Sequence, residues 1–176
     1  SILKKMNFKF YDECLNTLKH SKKDKLEKQN LIQLHFDEKW IFNHYIKRFI
    51  NIEPTEIDLT NFIKELDKKE NKRLVITTGF ILPTIMRNIL PILRELKIEI
   101  YENLNFSQLE KITCKSSILI SCHGAISHVA AANNIKQIDI IDRSYNYAKW
   151  TAHFRNYNFV HRENFNSLTQ KILEKI

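Results

Sequence analysis

The 176-residue chain is short of glycine, proline and cysteine, with two, three and three of them. So little glycine excludes the glycine-rich phosphate loops: neither GxGxxG nor the GK[ST] ending of a P-loop is present. Cys14, Cys114 and Cys122 are far apart and odd in number. They argue against a disulfide framework and for a reducing compartment. Apolar runs are short as well, none approaching the ~18 residues of a membrane-spanning helix. The opening SILKKMNFKF has neither the apolar centre nor the small-residue cleavage site of a secretory signal. The expectation is a soluble, cytoplasmic chain, with peripheral attachment at the inner face of a membrane left open.

What is present is ordinary for a globular protein: 43% hydrophobic and 27% charged residues, enough for one domain with a core. The net charge of +8 and a pI near 9.3 suit an anionic partner: a phosphorylated substrate, an anionic membrane surface or nucleic acid. Charge alone does not choose among them, and solvated helix faces account for many of the lysines. Residues 1–30 read as a basic helix and linker, with Phe8, Tyr11, Leu15 and Leu18 at helical spacing over 7–19. Lysines interleaved with aromatics there suggest a nucleic-acid- or membrane-binding module, but the helical spacing favours docking on a core and makes nucleic acid an unlikely partner.

Residues 31–176 read as one further unit. LIQLHF (31–36) is a strand, and helical spacing returns from Trp40 to Phe49. Thr55 and Asp58 form a capping pattern for a helix carrying Leu59, Phe62, Ile63 and Leu66 on one face. RLVITT (73–78) is a buried strand stopped by Gly79. Pro83 opens the next helix, in which Pro91 predicts a kink. Strands at 98–101, 117–121, 137–141 and 158–160 alternate with helices at 106–112, 125–133, 147–154 and from Phe165 to the end. Such alternation predicts an α/β fold, a Rossmann-like doubly wound open parallel sheet.

One stretch stands out, SILISCHGAISHVAAANN (117–134), which contains one of the two glycines. A strand leads into Cys122-His123-Gly124, at the edge where such sheets bind ligands. The glycine allows close backbone approach, and the N-terminus of the following helix favours phosphate. His128 lies on roughly the same helix face as Gly124, one turn on. A turn glycine and packing histidines are the plainer alternative. Cys122, His123 and His128 are metal-ligand types without metal-ligand spacing, and a Cys-His nucleophilic pair lacks an orienting acid.

Strand, turn, glycine, histidine and alanine-rich helix together resemble the C-terminal, donor-binding half of GT-B glycosyltransferases, with the heptosyltransferase-like family (glycosyltransferase family 9) nearest. LIQLHFDEKW resembles that family's first strand of the domain, with Lys39 and Trp40 matching its Lys/Trp pair. RLVITTGF resembles its next strand, ending in Thr78-Gly79. The motif aspartate of the family is replaced by Cys122-His123, the spacing from glycine to histidine is one residue longer, and a glutamate after the second strand is missing. The resemblance implies a nucleotide-sugar donor as substrate, with no cofactor and no metal. It implies donor or phosphate contacts from Lys39, Thr78, Gly79, His123, Gly124, Ala125, Ser127, His128 and Arg143, and a base pocket from Tyr101, Leu104, Asn105 and Phe106. No general base is assignable. GT-B enzymes take their acceptor site from a separate N-terminal domain, which 30 residues are too few to form, so a fragment or a binding-only protein is expected. The acceptor would be a glycan of the cell surface, such as a polysaccharide or lipopolysaccharide.

Overall fold

The computed structural model describes residues 29–176; the basic helix expected over 7–19 lies outside them. Six strands alternate with six helices: β1 (Leu31–Phe36), α1 (Glu56–Asp67), β2 (Arg73–Thr78), α2 (Thr84–Glu95), β3 (Glu99–Tyr101), α3 (Phe106–Lys115), β4 (Ile118–Cys122), α4 (Ala125–Ala132), β5 (Lys136–Ile141), α5 (Ala148–Thr151), β6 (Tyr157–His161) and α6 (Phe165–Leu173). The strands form one sheet in the order β3-β2-β1-β4-β5-β6, and every neighbouring pair is parallel. This is the doubly wound α/β sheet expected from the alternation, in the strand order of a Rossmann fold.

Period-two alternation sorts each strand's side chains onto two faces. From β1, Ile32, Leu34 and Phe36 enter the larger apolar cluster, with Leu74 and Ile76 of β2, Ile118 and Ile120 of β4, and Ile138 and Ile140 of β5. Leu59, Phe62, Ile63 and Leu66 of α1, Met86, Ile89 and Leu93 of α2, and Phe165, Leu168 and Ile172 of α6 cover this face. A smaller cluster, Leu119, Ile126, Ala130 and Ile135, lies on the other face beneath α3 and α4. The small side chain of Ala130, fully buried, lets α4 sit close to the sheet.

Local signals set most boundaries. Thr55 Oγ1 accepts from Asp58 N at 3.2 Å and caps α1. Asn105 and Gln108 form a reciprocal capping box on α3. Pro83 precedes α2, which runs as one helix through Pro91. That ring is exposed, so its cost is the missing donor to the carbonyl of Arg87.

Two expectations need correction. The helix expected over 40–49 is instead a 3-10 turn at Glu38–Trp40, followed by turns. Asp37 accepts from the backbone N of Lys39 and tightens the chain at its start, and Asn43 takes a left-handed φ of 58°, which no continuous helix tolerates. Long-range bonds then satisfy the loop's backbone in place of helical ones: Asp142 Oδ2 accepts from Ile50 N at 3.1 Å, and Arg162 Nε donates to Ile50 O at 3.0 Å. The helix expected over 147–154 is only the short α5. Strand β3 is three residues long and sits at the sheet edge.

Candidate ligand site at the switch point of the sheet

Between β1 and β4 the chain winds away in opposite directions, toward β2 on one side and β5 on the other. In open α/β sheets the crevice beyond the strand ends at such a point is where ligands bind. Here it holds a cavity of about 480 Å³, within the roughly 300–1,000 Å³ of small-molecule sites. Its walls come from the carboxyl ends of four strands and their loops: Lys39, Tyr45, Ile46, Arg48 and Phe49 after β1, Cys122–Ala125 after β4, Tyr145, Tyr147 and Trp150 after β5, and Arg162 after β6.

Lys39 forms part of the floor. Its ammonium is paired with Asp37, whose side chain is 3% exposed, and lies 5.5 Å from the centroid of the Tyr45 ring. Burial works against both charges. Even so, the carboxyl of Asp37 is held below its ordinary range by the hydrogen bond and charge of His35 and by Lys39, and the ammonium of Lys39 is pushed above its ordinary range by Asp37 and Glu38. Both therefore stay ionised at neutral pH.

Gly124 explains why the lysine can stand there. A Cβ at that position would come 3.0 Å from Lys39 Nζ and 3.2 Å from Cε. Its φ of 179° is extended backbone open to any residue, so the glycine supplies room rather than conformation, and an added Cβ would make the end of the lysine give way slightly. Gly124 and Ala125 also place the N-terminal end of α4 on the cavity wall, where free N–H groups and the helix dipole favour an anion.

Arg162 was missed from sequence and is central. It is 7% exposed and donates from Nε to Ile50 O and from Nη2 to Lys39 O at 2.9 Å. Nη1 lies 3.6 Å from Cys122 Sγ, and the guanidinium stands over the Phe49 ring at 5.4 Å. It thus joins β6, the floor lysine and the 41–50 loop while putting a permanent positive charge on the cavity wall. A lone arginine one residue past an apolar strand (YNFVHR) was the only available signal. Arg143, the arginine expected at the site, is exposed in the turn after β5 and does not line the cavity.

His123 was read without an orienting acid; the structure supplies one. Its Nδ1 lies 2.5 Å from Oδ2 of Asp139, a 1% exposed carboxylate in the middle of β5. Ser127 Oγ donates to Asp139 Oδ1 at 2.8 Å, Ser121 Oγ at 3.4 Å, and Tyr157 OH to Oδ2 at 3.2 Å. Burial and the charge of Asp139 push the Tyr157 phenol up, so it remains a donor. An acid inside the otherwise apolar run QIDII is the signal that could have marked Asp139. Ser127 is fully buried and also accepts from Gly124 N at 3.3 Å, so it secures the turn instead of lining the cavity.

His128 reaches the cavity one turn into α4, with its ring 5.7 Å from that of His123 and 6.1 Å from that of His153. Burial, then the neighbouring histidines, lower its pKa, which favours the neutral ring. Burial pushes the Cys122 thiol far up, which removes it as a nucleophile. Cys114 and Cys122 are both free thiols. Among the described residues no group of three or more His, Cys, Asp or Glu is placed to hold a metal ion.

Of the residues expected at the site, Lys39, His123, Gly124, Ala125 and His128 converge on the cavity. Thr78 ends β2, buried, and donates to Gly79 O at 3.2 Å. Gly79 sits against the β1 exit, where a Cβ would meet Glu38 Oε2 at 2.9 Å, but neither residue lines the cavity. Tyr101 ends β3 and Leu104, Asn105 and Phe106 follow it; all lie outside the lining, two strands from β1, roughly 10 Å across the sheet. Tyr101 donates to Glu99, Asn105 caps α3, and Phe106 is exposed. The aromatic walls come instead from Tyr45, Phe49, Tyr145, Tyr147 and Trp150.

No protein-family model matches the chain, and no curated protein matches it. Solved structures of the wall teichoic acid polymerase TagF are similar. Three of them cover 93%, 92% and 93% of this chain at 16%, 15% and 16% identity, with TM-scores of 0.39, 0.44 and 0.38. The second of these had been soaked with CDPG. The chain spans about two fifths of the length of these structures, covering 41%, 38% and 41% of them. They are not heptosyltransferases, and likeness at this level carries no functional weight.

Proposed function

We propose that the chain is the donor-binding half of a GT-B glycosyltransferase and takes a nucleotide-activated sugar in the switch-point cavity. One observation carries this reading: Lys39, Arg162 and the N-terminal end of α4 meet at one strand-end crevice walled by aromatics. An ammonium, a guanidinium and a helix N-terminus are what a diphosphate needs for recognition without a metal. The rings of Tyr45, Tyr145, Tyr147 and Trp150 suit a nucleobase or sugar face. In transfer, the same cations would stabilise the negative charge that builds on the departing phosphate. A cell-surface glycan, such as a polysaccharide or lipopolysaccharide, is the acceptor proposed, with the work done at a membrane surface. No helix among the described residues is long and apolar enough to cross a membrane.

A thermal-shift panel of nucleoside diphosphates and nucleotide sugars tests the reading. Saturating ligand stabilises by about RT ln(1 + [L]/Kd). Absence of any stabilisation well above micromolar concentration sinks it. A non-enzymatic module for a phosphorylated ligand would use the same cavity. It is distinguished by tighter binding of a phosphorylated compound that carries no nucleotide than of any nucleoside diphosphate or nucleotide sugar.

A further inference from the structure

The segment 143–155, between β5 and β6, gives Tyr145, Tyr147 and Trp150 to the cavity wall, yet only the four residues of α5 in it are helical. Its hydrogen bonds do not tie it down: among the described residues they stay within the segment or reach only its two ends, Asp142 and Tyr157. No ion pair among the described residues involves it. What fastens it is rings. Tyr147 stands edge-on to His123 at 4.9 Å, Phe154 edge-on to His128 at 5.1 Å, and His153 stacks on His128 at 6.1 Å with 27° between the planes. On the side of α4 and the turn before it, the partner in each contact is a histidine. His123 has Asp139 beside it in either charge state, so the Tyr147 contact persists. The fastening at the other end depends on His128, and a half-buried ring resists charge because charging it costs hydration. Burial, then the charges of His123 and His153, lower the pKa of His128, and only Asp139 on β5 opposes them. The phenols nearby, Tyr147 and Tyr157, are pushed up by burial and stay neutral. The other charges at hand are positive: Lys39 and Arg162 on the cavity wall, and Arg143, Lys149 and Arg155 on the segment, which contains no acid. No charge on α3, packed beside α4, bears on His128.

We propose that residues 148–155 form a pH-sensitive flap, shut by the neutral stack of His128 and His153 and released from α4 when both rings carry protons, taking Trp150 off the cavity wall. Two charged imidazoles stacked at this distance repel each other, and the exposed His153 is free to turn into water, undoing its contact with Phe154 as well. Because the folded value of His128 lies below the ordinary 6.5, closure is complete above that pH and is lost as pH falls through the folded value. The device is independent of which ligand enters the cavity.

The chain has two tryptophans, the fully buried Trp40 and the half-exposed Trp150. The full chain labelled with fluorotryptophan therefore gives two fluorine NMR signals, assigned with Trp150→Phe. They are followed without ligand from about pH 8 to about pH 5, the span in which histidine changes charge. The expected result is a Trp150 signal that moves toward that of a solvated tryptophan with its midpoint below 6.5, while the Trp40 signal stays in place. The ratio of shut to open flap should fall by up to about tenfold per pH unit for each proton taken up. His128→Phe and His153→Phe each keep a ring that takes no charge, and the second lies at an exposed position that leaves folding intact. In both, the Trp150 signal should hold its neutral position across the range. A Trp150 signal that stays still in the parent protein overturns the proposal, as does one that moves alike in the parent and in either folded variant. Movement of Trp40 at the same pH also overturns it, because the whole fold is then lost instead of the flap. With no ligand present, each of these failures leaves the donor-binding reading standing.

Discussion

The two faces of the sheet are built on different physics. Under α1, α2 and α6 the strands present Ile32, Leu34, Phe36, Ile76, Ile120 and Ile138, and burial alone holds the layers together. Under α3 and α4 the same strands present Gln33, His35, Thr77, Ser121 and Asp139, all 5% exposed or less. There two polar chains run beside the smaller apolar cluster. In one, Gln33 Nε2 donates to Thr77 Oγ1 at 3.0 Å, Thr77 meets His35 Nδ1 at 3.0 Å, and His35 Nε2 lies 3.5 Å from Asp37, which holds Lys39. In the other, Ser121, Ser127 and Tyr157 converge on Asp139, which holds His123. Each chain ends in a nitrogen-bearing side chain at the same cavity. The apolar face supplies cohesion, which is non-directional; the polar face supplies direction, which only hydrogen bonds can give.

The sharpest contrast is in stability. Phe36→Ala empties a fully buried site stacked on Trp40 at 5.0 Å, and should cost about 3–5 kcal/mol in urea unfolding. On the polar face Thr77→Val keeps the shape and removes the hydroxyl shared by Gln33 and His35. It should cost about 1–3 kcal/mol, mainly through the partners it strands. Equal losses from the two substitutions would erase the distinction between the faces.

Acid sharpens it further. The carboxyl of Asp37 is lowered from 3.8 in the folded protein, against the opposing effect of burial, by His35 and Lys39. Its stabilisation is therefore fully present above roughly pH 4 and is lost as pH falls through the folded value. Lys39→Met removes one of the two partners that oppose burial, leaving only His35 against it, so acid unfolding should begin at higher pH than in the parent protein. An unchanged acid limb would show that the pair is not coupled to folding.

The glycines give the smallest expected change in stability and a separation in binding. Gly124→Ala pushes on the ammonium of Lys39 at 3.0 Å, whereas Gly79→Ala pushes on the free end of Glu38 at 2.9 Å, outside the cavity lining. Pyrophosphate binding should fall several-fold for the first and stay near the parent value for the second, with both melting within a few degrees of it.

How much of this was legible in the sequence differs between the faces. LIQLHF and RLVITT announce themselves as strands because they are short β-rich apolar runs with a turn at the end, and α1 shows its apolar stripe and its cap at Thr55. The HGAISH turn was visible for the same local reason. Arg162 was not, because what makes it part of the site is its grip on Ile50, 112 residues away in the chain. Nor could Trp40–Phe49 be separated from a helix by spacing, since the bonds that replace helical ones come from Asp142 and Arg162, just past β5 and β6. The aromatic wall suffered likewise: FNHYIKRF and SYNYAKW lie nearly a hundred residues apart, roughly, and meet only across the crevice.

What the sequence determined by itself was the alternation of strand and helix and the split of each strand into two kinds of side chain, because both are periodicities of neighbouring residues. Which strand ends stand side by side, and hence that Lys39, His123 and Arg162 share one cavity, was decided by the order of the sheet. That order is a matter of non-local pairing: β1 lies between β2 and β4 because both edges of this buried strand must be hydrogen-bonded, and no local pattern records which partner takes which edge.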